Sequence, residues 1–201
     1  MKFSITQNGE ELSKEKYNWD ENTQTLSTNE NNLVLNFSKY NGVIFNTGDS
    51  CTFKTGDSCT FNTGHNCIFD TGSNCTFKTG SDCTFDTGDS CTFDTGSNCT
   101  FNTGHNCIFD TGRSCTFDTG DSCTFDTGDS CTFTCGEKCV CIRRDIYEVI
   151  EIPENKTIKL NEYGVKGYSF QLQKRKIVID GKEIEMSEES YQNLKKSLIN
   201  P

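Results

Sequence analysis

T-G-D-S-C-T-F-K (Thr47 to Lys54) opens a run of eleven consecutive octads that closes with T-G-D-S-C-T-F-T (Thr127 to Thr134). Every octad follows T-G-x-x-C-[T/I]-F-x, with no insertion or deletion. A unit this short cannot bury its own apolar face, so it must be a fragment of a stacked coil. Numbering the octad positions 1 to 8 from the Thr, Cys at 5 and Phe at 7 are two residues apart, as in Cys51 and Phe53 or Cys131 and Phe133. Residues i and i+2 share one face of a strand, which points Cys and Phe inward and leaves positions 6 and 8 outside. Thr suits an exposed strand position. T-G-x-x then supplies a corner, where Gly tolerates positive φ and Asp, Asn or Ser bond their own backbone.

Eight residues cannot close a coil with two facing sheets. The pattern therefore predicts two octads, about sixteen residues, per coil, with a triangular coil of about twenty-four residues as the alternative. Octads related by an approximate two-fold would set each Cys opposite a Phe across a core about 10 Å thick. Asn31–Ser38 and Lys39–Asn46 extend the template, with Leu35 and Val43 in the Cys slot and Phe37 and Phe45 in the Phe slot. Cys135–Ile142 reads as a degenerate last octad. This gives about seven coils and a rod on the order of 34 Å long. The expected architecture is an all-β, capped β-solenoid (parallel β-helix) with a small α+β C-terminal domain.

One octad, T-G-H-N-C-I-F-D, occurs at Thr63–Asp70 and again at Thr103–Asp110. The copies are an odd number of octads apart, so a two-octad coil places them on opposite sheets. The octads read as interchangeable units rather than as alternating specialised faces.

Solenoid ends expose unpaired strand edges and need caps. Residues 1–30 are read as an N-terminal β cap, residues 31–142 as the solenoid and residues 143–201 as a C-terminal cap or attachment domain. In the N-terminal cap, Phe3–Gln7 and Glu11–Leu12 flank an Asn8-Gly9 turn, a strong hairpin signal. A second hairpin is expected through Tyr17–Trp19 and Thr23–Ser27. In the tail, candidate strands are Tyr147–Ile152, Thr157–Leu160, Tyr168–Leu172, Ile177–Ile179 and Glu183–Glu185. A helix from about Glu188 to Ile199 follows, capped by Ser187.

Charge bounds the partners. Residues 47–134 hold twelve Asp, two Lys and one Arg, so this segment carries −9 of the total −10. An acidic rod repels phosphate, which argues against nucleic acid and anionic membranes as partners. The start, Met1–Gln7, has no continuous apolar segment of the signal-peptide kind. An intracellular, reducing location or a virion is the expectation, with protein partners or self-association through the end caps.

Fourteen cysteines suggest a disulfide framework at first sight. Eleven of them recur at one repeat position, however, and buried free cysteine packs as a small hydrophobe. The densest cluster is Cys131, Cys135, Cys139 and Cys141. Thiolates favour Zn²⁺ and Cu(I), which makes these four the candidate metal ligands. Their C-x3-C-x3-C-x-C spacing is not a familiar zinc module, and packing or a disulfide are the other readings. Asp94, Asp110 and Asp126 would stack in one file, where like charges repel and a cation is conceivable. His65 and His105 sit at position 3 of their octads as turn residues. No phosphate loop, nucleophile elbow or paired-acid signature is present, so neither an enzyme nor a cofactor is expected.

The outward Thr files and the octad itself resemble the A-G-Y-G-S-T-x-T unit of bacterial ice-nucleation proteins. Thr-Gly stands where Ala-Gly does, the core Cys where Ser does, and Thr52, Thr60 and their equivalents where the first Thr does. The second Thr is present only in the last perfect octad, as Thr134. A closer similarity is to uncharacterised T-G-x-x-C-T-F octad proteins of bacteriophages and large DNA viruses, with the tail Ile177–Glu185 adding to it. That resemblance implies a viral or phage setting and a structural role. The expectation is a non-enzymatic rigid spacer or interaction rod. The alternative is a ligand binder, taking soft metal through Cys, cations through Asp or ice through Thr.

Overall fold

The structure is a computed structural model that describes residues 3–171, 174–179, 182–187, 190–191 and 195. It is nearly all β, and the chain divides into two compact units, Met1–Ser169 and Phe170–Pro201. Short strands alternate between an eleven-stranded and a ten-stranded sheet. Within each sheet the repeat strands are parallel and in register with their equivalents one coil away. Phe85 lies beside Phe69 and Phe101 in one sheet, and Phe93 beside Phe77 and Phe109 in the other. A coil is therefore sixteen residues, two octads, and the stack is a β-solenoid of about seven turns. The duplicated octads fall on opposite sheets, with Ile68 in the strand Ile68–Asp70 and Ile108 in Ile108–Asp110.

Cys and Phe of every octad are buried and position 6 faces outward, as the period of two requires. The facing across the core differs from expectation. Phe of one sheet meets Phe of the other edge to face, as in Phe85 and Phe93 with centroids 5.2 Å apart at 77°. Along each file the rings stack in parallel, as in Phe85 and Phe101 at 4.8 Å and 3°. Cysteine instead faces the Thr at position 1 of its own octad, as Cys51 faces Thr47 and Cys59 faces Thr55. The reason is the antiparallel run of the two sheets. Across the core position 7 therefore faces position 7 and position 5 faces position 1, and position 1 is itself an inward, mostly buried residue (Thr63, Thr111, Thr127). Edge-to-face pairs add about 0.5–1.5 kcal/mol each beyond the burial of their area, and here they form an unbroken zigzag from Phe37 to Phe133.

The phase of the first template octad is corrected by two residues. Leu33 takes the Cys slot, Leu35 the Phe slot and Phe37 the Thr slot, since Val34, Leu35, Asn36 and Phe37 pair with Thr52, Phe53, Lys54 and Thr55. Val43 and Phe45 hold the expected slots. The next octad absorbs Ser38 and Lys39 as an insertion in its corner. Apolar residues at 33, 35 and 37 satisfy either phase, and only the backbone register separates them.

The ends are closed by reversing strand direction. Ser4–Gln7 pairs antiparallel with Leu33–Phe37 and with Glu10–Glu11 across the Asn8-Gly9 turn, where both residues have positive φ. Asn18–Asp20 pairs antiparallel with Thr25–Ser27, which itself begins the parallel stack beside Ile44–Asn46. Phe3, Tyr17, Trp19 and Tyr40 pack as an aromatic plug on Phe37. At the other end Glu148–Glu151 pairs antiparallel with Val140–Arg143, and Thr157–Leu160 with Thr132–Cys135. Residues 143–169, grouped with the tail on sequence grounds, thus belong to the solenoid unit. The second unit holds the antiparallel pair Lys174–Ile179 and Lys182–Ser187. Of the helix expected over 188–199, Ser190, Tyr191 and Lys195 are helical, and the other positions lie outside the described residues.

Interchangeable octads make a specific prediction. Deleting Thr71–Lys78 should leave a cooperative fold with a melting temperature within a few degrees of the parent, because every new neighbour is a template residue. Deleting the corner Thr71–Asn74 alone should abolish it. Circular dichroism melts of the two variants decide the matter, and equal loss of structure in both would contradict the octad as the packing unit.

Candidate functional site

The corners show why T-G-x-x has its composition. Turning the chain between sheets while stacking coils leaves most backbone groups in a continuous parallel ladder, as in Gly64 N–H to Gly48 O and Ser50 N–H to His65 O. The N–H at position 3 is left out of that ladder. Its acceptor is the position 3 side chain of the neighbouring coil, so one file runs Asn31, Asp49, His65, Ser81, Ser97, Arg113, with each N–H donating to the side chain before it. The opposite corner runs Asn41, Asp57, Ser73, Asp89, His105, Asp121, Glu137 in the same way. Position 3 therefore demands a short acceptor, which Asp, Ser, Asn and the Nδ1 of neutral His supply.

This assigns the two histidines. His65 Nδ1 accepts from Ser81 N–H and His105 Nδ1 from Asp121 N–H, both at 2.9 Å, on different edges of the rod. It also corrects the role of glycine. The repeat glycines do not have positive φ; position 4 does, with Ser50, Asn66, Asp82 and their equivalents at φ between 57° and 62°. Asn, Asp and Ser tolerate that left-handed region better than most residues. Glycine is needed because a Cβ at position 2 would strike the position 3 side chain of the preceding coil. At Gly96 it would lie 2.2 Å from Ser81 Oγ and 2.8 Å from Ser81 N.

Cysteine has a hydrogen-bonding role as well as a packing one. The N–H of Cys51 points at the Sγ of Cys67 at 3.4 Å, and Cys59, Cys115 and Cys123 repeat the contact with the next thiol in their files. The thiol donates in turn to a corner carbonyl, as Cys67 does to His65 O. Sulfur thus serves as a small, weak donor and acceptor that is easily buried.

The metal candidates are distributed among these roles. Cys131 continues the file of Cys115, and Cys139 the file of Cys123. Cys141 replaces a Phe, pairs in register with Phe125 and contacts Thr127 Oγ1 at 3.5 Å. Burial pushes its thiol up to about 11. Cys135 takes a position 1 slot beside Thr119 and faces Cys139, as Thr faces Cys elsewhere. Among the described residues, no group of three or more His, Cys, Asp or Glu is arranged to hold a metal ion.

The acidic files find cations within the chain. Asp94, Asp110 and Asp126 stack as expected. Arg144 reaches back along them, with Nη1 2.7 Å from Asp110 Oδ1 and Nε 3.0 Å from Asp126 Oδ1. On the other sheet Lys54 pairs with Asp70 at 2.8 Å, and Asn102 donates to Asp86.

Arg143 is the feature the sequence reading missed. It takes the position 1 slot in register with Thr127 and is fully buried. Its guanidinium grips Asp145 through Nε at 3.2 Å and Nη2 at 2.7 Å, and Nη1 bonds the Val165 carbonyl. Asp145 also accepts from Gly164 N–H, while Glu148 accepts from Gly167 N–H, so the 162–167 loop is fastened over the last coil. Burial alone would raise the Asp145 carboxyl. The bonds from Gly164 and Arg143 outweigh that and hold it below the usual carboxylate range. The signal available in sequence was an Arg in a slot the octads reserve for Thr. No protein-family model, curated protein or solved structure matches the chain.

Two predictions follow from these contacts. Gly96→Ala should destabilise the fold by about 1–3 kcal/mol through overpacking, read from urea unfolding; a neutral result would reject the steric role of position 2. Arg143→Thr restores the repeat residue but strands two carboxylates, and should cost about 3–5 kcal/mol. Because the Asp145 pKa is depressed on folding, its contribution is complete above the unfolded value of about 3.9 and is lost as pH falls through the folded value. Acid unfolding of Asp145→Asn should consequently be shallower below about pH 4 than that of the parent.

Proposed function

We propose that the chain is a non-enzymatic structural rod, a rigid spacer or interaction rod whose capped ends meet its partners. The observation that carries this reading is that the repeated side chains, apart from the outward Thr at position 6, are already committed within the stack. Position 1 faces the thiol, position 2 makes room, position 3 closes the corner, and positions 5 and 7 form the core. Of the outer residues at position 8, Lys54 pairs with Asp70, Asn102 with Asp86 and Asn62 with Asn46 along the files, while Arg144 meets Asp110 and Asp126. The two caps are where the chain departs from its template. The C-terminal cap exposes the apolar side chains of Tyr147 and Val149, and Val149 pairs with the exposed Ile142 at the end of the solenoid. A virion or virus-infected cell is the proposed setting, on the resemblance of the octad to viral and phage repeats. A reducing environment suits thiols that act as hydrogen-bonding groups. Repulsion of phosphate by the acidic faces supports protein rather than nucleic-acid or membrane partners.

Lysine placement provides the test. Lys14, Lys16, Lys156, Lys159 and Lys166 lie in the caps, whereas Lys54 and Lys78 lie on the two faces. Amine crosslinking in the native cell or particle, read by mass spectrometry, should join partners to the cap lysines and spare the face lysines. Crosslinks concentrated at Lys54 or Lys78 would replace the spacer reading with a face-on binding protein.

A further inference from the structure

The corner ladder has one break. Arg113 occupies position 3 between Ser97 and Asp129, and a guanidinium has no acceptor to offer. The Asp129 N–H accordingly has no hydrogen-bond acceptor among the described residues. Asp129 also ends its file, because Arg144 stands where the next coil would need Gly, and the Asp129 carboxylate receives no N–H from the following turn. Asp129 is nevertheless only 7 % exposed. Its carboxylate has no hydrogen-bond or ion-pair partner among the described residues, and neither has the Arg113 guanidinium one coil away. Little of the residue beyond its carboxylate edge is open to solvent, so the charge faces the one opening beside it.

These idle groups border one open cavity of about 460 Å³, together with Arg144, Asp145 and the ring of Tyr163, which is 76 % exposed. Two of the charges there are already spent: Arg144 is held by Asp110 and Asp126, and Asp145 by Arg143. What remains is one unpaired charge of each sign, plus an unpaired N–H, on adjacent coils and not in contact with each other.

We propose that this cavity binds a small zwitterion of the α-amino-acid class. Its ammonium sits on the Asp129 carboxylate with the Tyr163 ring beside it, a cation–π arrangement. Its carboxylate takes the Arg113 guanidinium and the Asp129 N–H, a charge-assisted pair of donors. This goes beyond the spacer role and does not depend on it.

The test is calorimetric titration of the full chain with glycine, using methylamine and acetate as single-charge probes. Glycine should bind saturably, and each single-charge probe should bind at least about tenfold more weakly. Asp129→Asn and Arg113→Ser should each lower glycine affinity by about tenfold or more. Arg113→Ser is the controlling variant. Serine accepts the Asp129 N–H as Ser97 accepts that of Arg113, so this chain should melt no lower than the parent while losing the ligand. No saturable binding of glycine up to about 100 mM, methylamine binding as tightly as glycine, or unchanged affinity in Arg113→Ser would each overturn the proposal.

Discussion

Every backbone N–H must find an acceptor even where the chain turns a corner, and that constraint organises this molecule. A parallel stack satisfies the strands without help from side chains. At the corner the position 3 N–H falls outside the ladder, and the only acceptor near it is a side chain one coil away. Once that bond exists, much else follows by sterics. The accepting side chain fills the space above the next position 2, so that residue is Gly. The tight return to the strand sets position 4 in the left-handed region, so that residue is Asn, Ser or Asp. Three of the four corner residues are thus fixed by one hydrogen bond and its consequences.

The core obeys the same economy of means with different chemistry. The central zigzag of phenyl rings supplies most of the buried apolar area, while its margins, close to the corners, hold Cys facing Thr. The margins need groups small enough to fit and polar enough to bond backbone N–H and C=O. A thiol meets both demands with a lower desolvation cost than a hydroxyl would carry. The long row of cysteines is thereby explained by packing and hydrogen bonding: a repeat thiol accepts an N–H from the preceding coil and donates to a corner carbonyl.

The fold was legible in the sequence because packing alone enforces the period. Two octads per coil, inward Cys and Phe, the cap hairpins and the stacking of Asp94, Asp110 and Asp126 could all be read from alternation and spacing. Three features could not. Position 1 looks like a corner Thr, and nothing local says that it turns inward to face Cys. Gly looks like a turn residue, although its purpose is to clear space for a side chain fifteen residues earlier. The phase of residues 31–38 was ambiguous because Leu33, Leu35 and Phe37 satisfy the alternation in either register. Each is a relation between coils, and a local pattern does not contain it. The candidate chemistry suffered more. Cys131, Cys135, Cys139 and Cys141 cluster in sequence yet divide among two files, a Phe slot and a Thr slot.

Arginine marks the places where the template fails, and each failure has a different consequence. Arg144 stands in a Gly slot, so its Cβ cannot sit over the Asp129 side chain and the coil cannot be continued; its guanidinium turns back to neutralise two stacked aspartates. Arg143 stands in a Thr slot and converts the final core margin into a buried charge that only the cap loop can satisfy. Arg113 stands in an acceptor slot and leaves the Asp129 N–H idle, one coil before Arg144 deprives the Asp129 carboxylate of the N–H of a following turn. A repeat that spends its corner acceptors on its own backbone N–H groups leaves those acceptors unable to recognise a ligand. Specific chemistry in such a molecule must therefore arise where a substitution removes one partner of a pair, and in this chain those substitutions lie at Arg113 and in the last coil.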